Sequence, residues 1–224
     1  MSHGRTVFIR VRLDVERRDR RDHPRPSRAV RRVLRNRPDR PGGRGPEVTR
    51  TITGLGFKGV ATNPAWAPTP LYPDDPSIDL VYAARQRLGA ACAITASIFM
   101  GPDLGHSDPI HIQRVAMRFP DLRIVVGHAW WPHLPTMVGV AMQCANVYLA
   151  PDFYAYIPST PMVHEFARAA DSYLRHRLLY SSGYPVRPPG QSDDEFRQRP
   201  LEPEVMENCL WRNAARLLDL PPAA

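Results

Sequence analysis

From Gly54 onward, short apolar runs alternate with amphipathic stretches along the chain. Residues 57–62 read as a short strand ending at Asn63-Pro64, and Ser77 is placed to cap a helix that runs to Leu88. Gly89 is the C-terminal stop of that helix. An apolar strand over residues 92–98 leads into a Pro/Gly/Asp-rich loop over 101–108. Asp108-Pro109 then starts a helix with Ile112, Val115, Ala116 and Phe119 at helical spacing. Residues 122–127 form the clearest buried strand. A helix over 136–144, a strand over 147–150, a helix over 160–175 and a strand over 178–182 follow. Glu202-Pro203 opens a closing helix through Leu218, with Val205, Leu210, Leu217 and Leu218 as its apolar face. This rhythm predicts parallel βα units, and five such strands fit part of an α/β barrel or an open doubly wound sheet. No Gly-rich phosphate fingerprint follows any strand, which weighs against nucleotide binding.

Residues 1–50 lack this pattern. Val7, Ile9 and Val11 alternate with polar residues as in a strand, and residues 27–34 allow one short basic helix. The Pro/Gly/Arg-rich stretch over 37–46 then breaks regular structure. Charge separates the same two parts. The chain carries 30 basic and 22 acidic residues, a formal +8. Residues 1–50 hold 16 Arg against six acids, a net +10, so residues 51–224 carry a net −2. Of the basic residues, 29 are Arg and one is Lys58, and there are 25 Pro, a skew typical of GC-rich coding sequence. The chain therefore reads as an Arg-rich leader over 1–50 on a barrel-like body over 51–224. The leader is expected to be poorly ordered, or to reflect a mis-assigned start or shifted reading frame. A nucleic-acid-binding arm is disfavoured, because Phe8 is the one aromatic residue there to stack on a base.

No run of 18 apolar residues exists, which excludes a transmembrane helix, and residues 1–12 lack the apolar segment of a signal peptide. Cys92, Cys144 and Cys209 have no metal-type spacing. They read as buried thiols of a reducing, cytoplasmic compartment.

In parallel α/β architectures chemistry sits on the loops that leave the C-terminal strand ends. Those ends carry Asn63, Thr95, Ser97, His128, Asp152 and the segment from Ser181 to Tyr184. His128 ends a buried strand and is followed by Trp130 and Trp131, an aromatic wall; its imidazole suits acid/base work near neutral pH. A structural hydrogen bond at the strand end is the alternative. Asp152 occupies the equivalent place one strand later, where it orients or charges the imidazole, or caps its own loop. The loop Asp103-Leu104-Gly105-His106-Ser107-Asp108 superficially suggests a metal site. Its spacing matches no tight ligand motif, and Asp108 is better explained as a helix N-cap. Ser181-Ser182 lacks the Gly-x-Ser-x-Gly of a nucleophile elbow.

Five stretches, in order and spacing, resemble the C-terminal part of the amidohydrolase-related family of α/β-barrel hydrolases and decarboxylases. They are Gly56-Phe57-Lys58-Gly59-Val60; Arg118-Phe119-Pro120-Asp121-Leu122-Arg123-Ile124-Val125-Val126-Gly127-His128; Asn146-Val147-Tyr148-Leu149; Leu179-Tyr180-Ser181-Ser182-Gly183-Tyr184-Pro185; and Asn213-Ala214-Ala215-Arg216-Leu217-Leu218. The resemblance implies a partial or divergent (β/α)8 barrel, roughly its last five βα units. It also implies a divalent metal, Zn or Mn, held by a His-x-His pair on the first strand, a His on the fifth and an Asp on the eighth. A sixth-strand His would act in the chemistry.

Carried over by position, the sixth-strand residue is His128, the fifth-strand position falls near Thr95, and the eighth-strand position falls at Gly183. The first-strand pair is absent, so no metal ligand set is expected here. The expectation is a hydrolase or carboxy-lyase acting on a small carboxylated or cyclic substrate. His128 and Asp152 would be catalytic, with Asn63, Thr95, Ser97, Trp130, Trp131 and Tyr184 around the substrate. The alternative is a non-catalytic barrel that serves ligand binding or assembly. A homo-oligomer is expected in either case, because an open set of strands leaves edges to cover.

Overall fold

The computed structural model describes residues 44–54, 56–95, 98–99 and 101–220. The strand expected over 7–11, the helix expected over 27–34 and Ser97 lie outside those residues. A helix α1 (Arg44–Thr49) continues into a wider turn and buries Val48 in the core. Four strands follow, β1 (Gly59–Thr62), β2 (Ala91–Thr95), β3 (Ile124–Gly127) and β4 (Val147–Ala150), all parallel and in sequential order. Helices α2 (Asp79–Arg87), α3 (Pro109–Arg118) and α4 (Leu134–Gln143) are the crossovers. Register pairs Thr95 with Gly127 and Gly127 with Ala150, so the C-terminal ends of β2, β3 and β4 lie level.

Local chemistry explains these boundaries. The Asp108 carboxylate accepts from Ile110 N–H at 2.9 Å and Pro109 follows at the first helical position, so α3 starts there. Gly89 takes φ +60° just past α2, a conformation that favours glycine. The Asn146 amide donates to the carbonyls of Ala116, Phe119 and Leu122 at 3.0–3.3 Å, closing the α3–β3 connection. Arg177 similarly donates to Ala141 O, Cys144 O and Val147 O below α4.

The main core joins the helix faces to one face of the sheet through Cys92, Ile94, Ile124, Val126, Val147 and Leu149. All four residues of β3 are buried, and each large apolar side chain buried this way contributes about 1.5–3 kcal/mol. A smaller cluster places Ala91, Val125, Ala150 and Leu179 with Ala214 and Leu217 of the C-terminal helix.

Several expectations are corrected in detail. The strand expected over 178–182 pairs through one bridge, Leu178 with Leu149; Leu179 N–H donates to Leu149 O at 2.8 Å. The cap before α2 is Asp75, whose carboxylate accepts from Ser77 N–H at 2.9 Å, because a short 3-10 turn precedes the α-helix. Strand β2 is described over Ala91–Thr95, and residues 96 and 97 of the strand expected over 92–98 lie outside the described residues. The helix expected over 160–175 is α5 (Val163–Asp171). Helix α6 (Pro189–Arg197) was not expected. The closing helix is one helical stretch of three pieces, α7 (Pro203–Glu207), a wider turn over Asn208–Arg212 and α8 (Asn213–Leu217).

Candidate active site

Beyond β3 and β4 the backbone turns sharply. His128, Ala129 and Trp130 take φ of 58°, 43° and 58°, and Asp152 takes 54°. Consecutive left-handed residues without glycine are costly, on the order of 1–2 kcal/mol each. Such strain gathers at functional sites. Here it brings two side chains together.

His128 Nδ1 lies 2.7 Å from Asp152 Oδ2, and the backbone N–H of His128 donates to the same oxygen at 3.3 Å. Nδ1 meets no hydrogen-bond geometry with that oxygen, so this is a close contact and not an aligned hydrogen bond. Asp152 is buried, 6% exposed, whereas the His128 side chain is a quarter exposed. The carboxylate therefore sits behind and the imidazole faces outward. From the end of the bridged segment, Ser181 Oγ accepts the Asp152 N–H at 3.1 Å. Tyr156 O–H donates to Ser182 O at 3.0 Å, and burial pushes this phenol up to about 12, so it stays a donor.

Aromatic rings surround the imidazole. Tyr154 meets His128 edge-on at 6.0 Å, Phe153 is tilted at 6.4 Å, and Trp131 stacks on Tyr154 at 4.9 Å and 6°. Trp131 is oriented by its indole N–H, which donates to Pro161 O at 3.1 Å. Burial, and next the Asp152 charge, raise the Tyr154 phenol above its ordinary value.

The other expected residues fall as follows. Thr95 stands at the end of β2, level with Gly127, and its hydroxyl is buried with no hydrogen-bond partner among the described residues. Asn63 is buried at the end of β1, its carbonyl accepting from Trp66 N–H at 3.1 Å. Trp130 is fully buried within the main core. Tyr184 is 65% exposed, with its N–H on Ser182 Oγ. Sequence reasoning missed Phe153 and Tyr154, although two aromatics directly after a strand-end Asp were a readable signal. It also missed Tyr72, stacked between His106 and His111 at 4.5 and 4.6 Å. The partners of that stack are far apart in sequence, so spacing gave no hint.

A parallel α/β sheet with a His and an Asp at neighbouring C-terminal strand ends has the site placement shared by TIM barrels and doubly wound sheets. The amidohydrolase family profile matches residues 17–220, and the chain belongs to that family. It is 34% identical to an uncharacterised TIM-barrel protein of Bordetella bronchiseptica, with a TM-score of 0.72 over 76% of this chain and 60% of that one. Its fold is also that of 2,6-dihydroxybenzoate decarboxylase from Rhizobium (16% identity, TM-score 0.61, 78% of this chain and 66% of that one). The same holds for 5-carboxyvanillate decarboxylase from Sphingomonas paucimobilis (21%, 0.57, 79% and 63%). The chain thus spans about two thirds or less of the length of these proteins. No curated protein gives a significant match. Among the described residues no helix is long and apolar enough to cross a membrane.

Among the described residues, those carried over by position do not make a ligand set for the metal that the resemblance implies. Thr95 and Gly183 stand where the resemblance puts a His and an Asp, and they offer a neutral hydroxyl and no side chain. Among the described residues no three His, Cys, Asp or Glu side chains converge as a metal-holding group. One imidazole and one carboxylate fall short of the three protein ligands a catalytic zinc takes.

Proposed function

We propose that this chain is an amidohydrolase-family hydrolase or carboxy-lyase that acts on a small carboxylated or cyclic compound. The observation that carries this reading is the His128–Asp152 contact, with the carboxylate buried, the imidazole outward and aromatic rings alongside. The buried carboxylate behind the ring holds its orientation, with the outward edge of the imidazole left for proton transfer. In a decarboxylation, His128 would give its proton to the substrate carbon that bears the carboxylate. The C–C bond then breaks, carbon dioxide leaves, and the imidazole regains a proton from solvent. In a hydrolysis the neutral ring would take a proton from the attacking water and return it to the leaving group. Trp131 and Tyr154 suit the flat face of a cyclic substrate, and Thr95 would lie beneath it at the end of β2. Asn63, Ser97 and Tyr184 would complete the surroundings of the substrate, while Trp130, fully buried in the core, would support them from behind.

The decarboxylases among proteins of the same fold support the carboxy-lyase branch. Ligand binding or assembly without turnover is the second reading, favoured by Thr95 and Gly183 at positions where the resemblance implies ligands. Three buried free thiols suit a reducing cytoplasm, and open strand edges suit a homo-oligomer. A panel of small cyclic carboxylates, amides and esters, followed by carbon dioxide release and by hydrolysis, separates these readings. Turnover on at least one compound, reduced on the order of 10²–10⁴-fold by Asp152→Asn, is expected. Binding without turnover across the panel would favour the second reading, and turnover indifferent to Asp152→Asn would remove the pair from the chemistry.

A further inference from the structure

We propose that Phe153 and Gly183 are an interlocked pair that closes this site to a divalent metal, leaving His128 to work as an acid/base group unassisted by a cation. The inference rests on placing the site at His128 and Asp152, but it is read out without turnover. Gly183 has φ +68°, and a Cβ built on it would lie 2.7 Å from Phe153 Cδ1, 3.1 Å from Cε1 and 3.5 Å from Asp152 Cβ. Real Cβ atoms essentially never approach a carbon at 2.7 Å, so a carboxylate-bearing side chain at 183 would have to move the ring.

The ring is not a flexible end that yields cheaply. Phe153 packs against the main core and meets Tyr154 at 4.6 Å, and Tyr154 in turn stacks on Trp131. The Phe153 carbonyl accepts from the N–H groups of Tyr156 and Ile157 at 3.2 and 3.0 Å, which fixes the turn that carries it. The ring thus holds the space beside Asp152 that a second carboxylate would need. On the other side of His128, the Thr95 hydroxyl is a neutral oxygen and a poor ligand for zinc. Nδ1 of His128 is already turned to Asp152, so Nε2 is the nitrogen that faces outward. Among the described residues, space and donors are missing together.

The full chain, incubated with zinc or manganese and freed of excess, is expected to retain neither in stoichiometric amount. One equivalent of either metal, lost on His128→Ala, would overturn the inference while leaving the acid/base reading of His128 and Asp152 open to its own turnover test. The interlock is tested by reopening it. The double variant Phe153→Ala with Gly183→Asp frees the space and sets a second carboxylate beside Asp152 and His128. Titration calorimetry is expected to show it binding zinc at least about tenfold tighter than the wild type, the order that even an outer-shell partner contributes. Gly183→Asp alone, with the ring in place, is expected to show no gain. Equal zinc binding by the single and double variants, or a folded double variant no better than the wild type, would show that the ring is not the obstacle. Should the double variant not fold, as judged by circular dichroism, the wild-type metal measurement still decides.

Discussion

Asp152 is asked to do two things at once, to hold a left-handed backbone and to place a charge behind His128. Asparagine tolerates that backbone region better than most residues and keeps the side-chain shape, whereas alanine does neither. Asp152→Asn is therefore expected to melt near the wild-type temperature, with Asp152→Ala less stable by about 1–2 kcal/mol, measured by thermal or urea unfolding. Equal stability of the two would mean that the backbone at 152 carries no strain. The cysteines give a second test at this scale. All three are buried and free; burial pushes the Cys209 thiol up to about 12 and also raises Cys92 and Cys144. Thiolate, the reactive form, is thus scarce in the folded state. We expect no labelling of the three by a thiol reagent until the chain unfolds, as followed by mass spectrometry.

At the level of elements, the loops above β1 and β2 are joined by a polar stack. Tyr72 lies between His106 and His111, His111 Nδ1 is 2.6 Å from Asp74 Oδ1, and Arg114 donates to Asp74 Oδ2 at 3.1 Å. Burial raises the Asp74 carboxyl, but Arg114 and His111 outweigh it and hold it below its ordinary value. A lowered carboxyl stabilises the fold fully above its unfolded value, and that stabilisation is lost as pH falls through the lowered folded value. Asp74→Asn should cost about 1–3 kcal/mol at neutral pH. Its stability should also fall less steeply than the wild type's below about pH 4 in urea unfolding.

The same scale shows what was legible in the sequence. Helix α3 was readable because Asp108, Pro109 and four apolar residues state its cap, first turn and buried face together. Asn146 and Asn213 were quoted as motif residues, and both prove to bond carbonyls at strand–helix junctions. Residues 178–182 misled because burial, not a ladder, accounts for their apolar run; one bridge suffices to seat them. Helix α6 was invisible because it buries Ser192 and Phe196 alone and presents no apolar stripe to read. In the site, His128 and Asp152 were legible from strand-end position, but the Phe153–Gly183 interlock depends on a three-dimensional approach that no spacing encodes.

Over the whole molecule, the +8 formal charge says little about partners once it is divided, since the residues from 51 onward are slightly acidic. Strand β1 pairs with β2 alone among the described residues, and large side chains such as Leu80, Phe99 and Val186 are mostly exposed. Light scattering on the eluting protein is expected to show a homo-oligomer, and a clean monomer would contradict that expectation. The central claim is that the His128–Asp152 pair performs acid/base chemistry at the strand ends. Its most direct test is the turnover of His128→Ala on a compound the wild type converts, with folding checked by circular dichroism. A loss on the order of 10²–10⁴-fold or more in a folded variant is the predicted result. Unchanged turnover would contradict it.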